Sequence, residues 1–352
     1  MTQQPKIKWD QGSAYDLFIS LRIIHRPEEY GLRPSWAAGV RSRLPIHLRD
    51  LLERSQTFMG VPLHFIYHLP EPKNAATVIT ELEKLSPEER LPALVFNSRS
   101  DERTVQFREF LISLDGKRRL TAGVEDRIQA YYQDSSQLTR GFMRALFESW
   151  TNQKEFGEVY LEALKAYVDN FFEEEEPRIL PSQNFAVEKY QSRAQTTDLL
   201  SLLEDVSKGV RMAWLEDLAT VVLAPSFWAT PFVFFTRLDN HSGIIVFGAR
   251  PTSSTLVPGE LVPEELLNGL KALANPTRLR ILHVLQESPR STSELAKALR
   301  LRLPTMTHHL HNLRLAGLIN VTISPNAERQ YAIRKDGIDT TTQKLRTFLP
   351  GG

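Results

Sequence analysis

The chain has 352 residues, a formal net charge of +1, 41% hydrophobic and 24% charged residues, and no cysteine. That composition is ordinary for a globular protein, and the length suits two domains, the larger able to bury a substantial core. The lack of cysteine excludes disulfides, thiolate metal sites and thiol redox chemistry. The first ten residues hold no signal-like apolar core. The longest apolar run, Ala219 to Phe235, is broken by Pro225 and Pro231 and falls short of the ~20 residues a membrane helix needs. No membrane segment is expected, and a cytoplasmic location is. From Leu261 onward 13 Lys/Arg stand against 7 Asp/Glu, a surplus of +6, whereas the rest of the chain carries 30 against 35, or −5. Positive potential is thus concentrated in the C-terminal part, as on a phosphate-facing surface.

Taken in order, Ser13 to His25 reads as an amphipathic helix ended by Pro27, with Leu17, Leu21 and Ile24 on one face. Ser35 to Arg43 and His47 to Thr57 are further helices around Pro45. Val61 to His68 reads as a short strand that would put His64 and His68 on one face. Without a carboxylate or thiol beside them, those histidines read as packing or surface residues rather than metal ligands. Helical patterns resume at Ala75 to Leu85, Arg103 to Leu114, Val124 to Tyr132, Arg140 to Trp150 and Lys154 to Glu176. The last ends in four glutamates that oppose the helix dipole, a solvated end before Pro177 or else a partner-binding patch. Aromatic residues from Phe142 to Phe172 read as core, with a ligand pocket as the other reading. Val187 to Val210 is helical, and Thr220 to Phe235 with Gly243 to Phe247 gives β runs around a turn at 238–243. No phosphate-cradling glycine loop, nucleophile elbow or zinc-binding histidine pair marks an enzyme. Pro251 to Pro263 reads as a linker, and Glu264 to Ala274 as the first helix of a second domain.

The decisive stretch is Leu303 to Leu318. Pro304 suits the first turn of a helix and Gly317 the left-handed position just past its end. Met306, Leu310, Leu313 and Gly317 share an inward face. Thr307, His308 and His311 lie opposite, with Thr305 and Asn312 at the edges, all side chains able to reach base edges in a major groove. Ser291 to Leu301 is a helix with a capping-box spacing, Ser291 to Glu294. Two short helices about three residues apart make a helix-turn-helix. Leu318 to Ser324 and Arg329 to Ile333, around the turn 325–328, make a β-hairpin wing. Arg302 at the turn, Arg314 late in the second helix and Arg329 on the wing lie where the DNA backbone should pass. The spacing of His308 and His311 could suggest a metal, but missing carboxylates and the DNA-facing position argue against one.

Ala272 to Leu282, Ser293 to Ala296, Thr307 to Leu310 and Leu313 to Ile319 together resemble the winged helix of the arsenic-repressor (ArsR) type of bacterial regulators. Leu223 to Phe227 and Ile244 to Pro251 more loosely resemble a branch of that family with a long N-terminal domain of unknown function. The resemblance implies a dimeric, sequence-specific binder of double-stranded DNA, usually a repressor released by a signal, with dimerisation through the helix from Glu264 and the chain's end. The family's paired sensing cysteines are missing here.

The expected fold is therefore mainly α with small β elements: an α-rich domain over 1–258 and a winged helix-turn-helix over 259–352. The expected function is a homodimeric repressor, not an enzyme, whose N-terminal domain senses a small organic ligand or a partner. An enzyme or scaffold carrying a DNA-targeting module is the alternative. DNA-binding residues are Thr305, Thr307, His308, His311, Asn312, Arg302, Arg314 and Arg329. No catalytic residue, metal or cofactor is assigned.

Overall fold

A computed structural model describes residues 5–97, 101–132, 138–207, 209–212, 215, 217–251, 254–257, 262–323 and 329–349. The wing tip 325–328 and much of the linker 251–263 lie outside these residues. The N-terminal region opens with strand β1 (Lys6–Trp9), then α1 (Ser13–His25), α2 (Pro27–Tyr30), α3 (Pro34–Arg41), α4 (Ile46–Phe58), α5 (Leu63–Tyr67), α6 (Ala75–Lys84), α7 (Pro87–Val95), α8 (Glu102–Ile112), α9 (Ala122–Tyr132), α10 (Arg140–Trp150) and α11 (Gln153–Tyr167). A π-helical segment, Val168–Phe172, leads into α12 (Glu173–Ala194), followed by α13 (Leu199–Val206), β2 (Val210–Met212), β3 (Thr220–Ser226), β4 (Val233–Arg237) and β5 (Ser242–Gly248).

Helix α1 has the expected bounds but is buried on all sides except at Arg22, so it is a central helix rather than an amphipathic one. The strand expected over Val61 to His68 is instead the helix α5. Leu63 and Ile66, three apart, are the residues it buries, and this spacing suits a helix. His64 and His68 still share a face, now at i and i+4, and each ring contacts a backbone carbonyl, Ala93 O at 3.0 Å and His64 O at 2.7 Å. The four glutamates do not end a helix, because α12 runs on through Pro177 and Pro181. Packing of Ile179, Ser182, Gln183 and Ala186 holds it there. Glu175 pairs with Arg178 at 2.6 Å, and Glu176 accepts from the Ser13 hydroxyl.

One four-stranded sheet has the order β1-β3-β5-β4, with β1, β3 and β5 parallel and β4 antiparallel. Both faces are covered, which accounts for the unbroken apolar runs of β3 and β5. Val222, Ala224, Ile244 and Val246 face the large helical core, while Val221, Leu223, Ile245 and Phe247 face a second cluster formed with α12 and α13. A third apolar cluster runs from Ala272 to Tyr331.

Asp16 braces this domain. Fully buried, it accepts hydrogen bonds from Ser226 Oγ at 2.7 Å, the Trp228 amide at 2.8 Å and Gln183 Nε2 at 2.7 Å. It thereby ties α1 to α12 and to the loop between β3 and β4. Burial pushes its pKa from 3.8 up to about 6, against the pull of these donors. A carboxyl whose pKa is raised on folding contributes stability present below its unfolded pKa and lost as pH rises through the folded one. The stability of the wild type relative to Asp16→Asn should therefore fall between pH 4 and pH 6, by up to about 3 kcal/mol at ~1.4 kcal/mol per pKa unit, and level off above. Chemical denaturation at stepped pH measures it, and a difference that stays constant from pH 3.5 to 7 would contradict the placement.

Candidate nucleic-acid interface

The C-terminal region comprises α14 (Glu264–Leu273), α15 (Pro276–Leu285), β6 (Arg290–Ser291), α16 (Thr292–Leu299), α17 (Leu303–Leu315), β7 (Ile319–Ile323), β8 (Arg329–Ile333) and α18 (Gly337–Phe348). The capping box of α16 is formed: the Ser291 amide donates to Glu294 Oε2 at 2.7 Å and the Glu294 amide to Ser291 Oγ at 3.3 Å. Pro304 lies in the first turn of α17, and Gly317, at φ +67°, turns the chain out of it. Met306, Leu310 and Leu313 are buried, as the spacing requires. β7 and β8 pair antiparallel as the wing, and β6 adds a short third strand beside β8. A helix-turn-helix with a wing is therefore in place.

The expected contact residues fall into two groups. Arg302, Thr305, Thr307, His308 and Arg329 are exposed. Thr307 donates to Leu303 O and Asn312 Nδ2 to His308 O, so both side chains fold back on α17. His311 and Arg314 differ from expectation, since the N-terminal region partly covers them. The His311 ring stacks on Phe232, 6.0 Å between centroids and 17° between planes, and burial holds its imidazole below the usual pKa. Arg314 Nη2 donates to Ser207 O at 2.9 Å, and burial pushes its pKa down to about 10. In this arrangement Arg314 is not placed for a phosphate.

Further contacts extend this junction, all from residues that the helix pattern of 303–318 could not disclose. Phe232 packs edge-on against Tyr30 at 5.0 Å, and Tyr30 Oη accepts from Arg22 Nε at 2.9 Å. Gly31, at φ +72°, lies against Leu315 and Asn268; a Cβ there would sit 3.5 Å from Leu315 Cδ2. Leu315, on the face of α17 away from its own core, is buried as a result. Strand β2 crosses from the N-terminal region and pairs parallel with β7, Val210 opposite Val321 and Met212 opposite Ile323. The wing sheet thereby takes the order β2-β7-β8-β6. Among the described residues, no group of three or more His, Asp or Glu could hold a metal ion, and no helix is long and apolar enough to cross a membrane.

Residues 273–322 match a helix-turn-helix domain family. The HTH-type transcriptional regulator MJ0229 of Methanocaldococcus jannaschii is 37% identical over 65 residues, 18% of this chain and 68% of that protein. The chain belongs to the helix-turn-helix transcriptional regulators. A solved ArsR family transcriptional regulator is 34% identical over a match covering 24% of this chain and 87% of its own, at a TM-score of 0.22.

Gly209 is the tightest point where the N-terminal region meets β7. Its φ is +92°, its carbonyl accepts from the Val321 amide at 3.0 Å, and a Cβ would lie 1.9 Å from Asn320 Oδ1. A left-handed conformation alone costs a non-glycine residue ~1–2 kcal/mol. Gly209→Ala should loosen β2 from β7 and speed hydrogen exchange at the Val321 amide while leaving the buried amides of α1 protected. Unchanged exchange at Val321 would show that the junction does not depend on this glycine.

Proposed function

We propose that the protein is an ArsR-type, homodimeric DNA-binding regulator, a repressor in which residues 1–258 control whether α17 can enter the major groove. The observation that carries this is the division of α17. Its N-terminal half presents Thr305, Thr307 and His308 to solvent, while His311 and Arg314, one turn further on, lie beneath Phe232 and Ser207. A recognition helix reads bases mainly with its N-terminal residues, but it must sink into a groove about 8.5 Å deep. A domain wall packed against its C-terminal half obstructs that approach. The arrangement is thus read as the DNA-released state, and separation of Phe232 from His311 as the step that frees the helix. No catalytic role is assigned to either domain, and the protein is expected to act in the cytoplasm, where its DNA lies.

Dimerisation through α14 and α18 is supported by the exposed apolar side chains Leu270, Ile338, Phe348 and Leu349. α18 is anchored to α14 by Lys344 and Glu265 and by the close fit of Thr341 on Gly269. Their outer apolar surface is available to a second copy.

The test begins with selection of bound genomic fragments by the full chain, followed by titration of the enriched sequence. Replacing His308 and His311 together by alanine should cost ~1–3 kcal/mol for each base edge that is no longer read. Equal discrimination between the selected site and random DNA in that double variant would remove α17 as the reader. Arg302→Ala and Arg329→Ala should each lower the slope of log affinity against log salt by about 0.9. Phe232→Ala, which touches no DNA in this reading, should bind the selected site more tightly than the wild type. Affinity at or below the wild-type value would argue against the released-state reading.

A further inference from the structure

The junction between the two domains is not fully packed. A cavity of about 230 Å³ lies between β4 on one side and α17, β7 and β8 on the other. Its walls are of two kinds. Phe232, Phe235 and Tyr331, with Val233, Val321 and Ile323, give an apolar and largely aromatic lining; His311, Arg314 and Arg329 add an imidazole and two guanidinium groups. Among the described residues, no aspartate or glutamate lines it.

This combination is selective. Apolar walls reject a hydrated inorganic ion, because they cannot replace its water. Two guanidinium groups disfavour an organic cation. Guanidinium forks pair with the two oxygens of a carboxylate, and two of them open onto one small cavity here. Drug-sized sites occupy about 300–1,000 Å³, so this cavity takes a smaller molecule, on the scale of one or two fused rings.

We propose that this cavity binds a small planar aromatic carboxylate, which bridges Phe232 and Phe235 of the N-terminal domain to Arg314 and Arg329 of the winged helix. The site exists only while the two domains are docked, since β4 supplies one wall and α17 with the wing the other. A molecule seated there favours the docked arrangement by its differential affinity for it, and so opposes DNA binding. The same guanidinium groups would then face a phosphate in one state and the ligand carboxylate in the other. The regulatory part rests on the released-state reading above; the binding part does not.

The experiment therefore has two arms. In the first, benzoate, salicylate and 2-naphthoate, each beside its neutral amide, are titrated calorimetrically into the full chain without DNA. At least one carboxylate should bind one per chain and at least tenfold more tightly than its amide. Arg329→Gln, a change at an exposed wing position that should leave folding intact, should weaken that binding by about tenfold, and Phe235→Ala should weaken carboxylate and amide alike. If none of the three carboxylates binds better than its amide, or if Arg329→Gln binds the carboxylate as the wild type does, the site assignment is overturned. In the second arm, a saturating amount of the bound carboxylate should lower the affinity of the wild type for its selected DNA by about tenfold or more. Carboxylate binding that passes the first arm without changing DNA affinity would leave the site standing and overturn both its regulatory role and the released-state reading.

Discussion

The architecture depends on one contact surface, the docking of α17 onto the loop between β3 and β4. A recognition helix needs one face buried in its own small domain and the other in water or DNA. Here the N-terminal region buries Leu315 and partly covers His311 and Arg314. The cover fits because the outward residues are amphipathic. An imidazole can stack on a phenyl ring, and an arginine stem can lie along an apolar wall while its head finds a carbonyl. Side chains of a kind that can meet DNA are thus equally suited to being held by protein.

That surface is positioned from deep in the N-terminal domain. Asp16 fixes the start of the β3–β4 loop through Ser226 and Trp228, and the Arg22–Tyr30 hydrogen bond sets the ring against which Phe232 leans. Strand β2 makes the connection directional. By adding itself to the edge of β7 it satisfies backbone groups that an isolated wing would leave to solvent. Movement of the N-terminal domain must therefore either carry the wing along or break a strand pairing. Such a device needs little energy, since a tenfold change in DNA affinity corresponds to about 1.4 kcal/mol of preference between two arrangements.

The C-terminal domain is legible in the sequence because its signals are local. The Ser291–Glu294 cap, Pro304, Gly317 and the Met306–Leu310–Leu313 spacing each act within one helix, and each is found in its expected place. The helical character of the N-terminal region is equally readable. Structure and expectation part where tertiary packing overrides a local pattern, as in α5, which buries Leu63 and Ile66 as a helix, and in α12, held through two prolines by its buried face. The Ser86–Glu89 capping box and Pro87 at the start of α7 are local signals too, and they mark a helix that the apolar spacing alone does not reveal. What no local pattern can disclose is the junction. Nothing in the spacing of Phe232, Ser207, Gly209 or Val210–Met212 indicates that they meet α17 and β7, because that meeting joins stretches about a hundred residues apart in the chain.

In the proposed regulator, docking and DNA binding exclude one another. A chain without cysteine allows a direct test, since Arg211 and Thr322 are register partners on β2 and β7. Adjacent strands lie about 4.8 Å apart, within the reach of a disulfide. Arg211→Cys combined with Thr322→Cys can therefore lock the docked arrangement when oxidised and release it when reduced, without touching a residue assigned to DNA contact. The measurement is the affinity of this one variant for its selected DNA in both redox states. Binding should be at least tenfold weaker in the oxidised form and match the wild type in the reduced form; equal affinity with the disulfide intact would show that a docked chain still binds DNA.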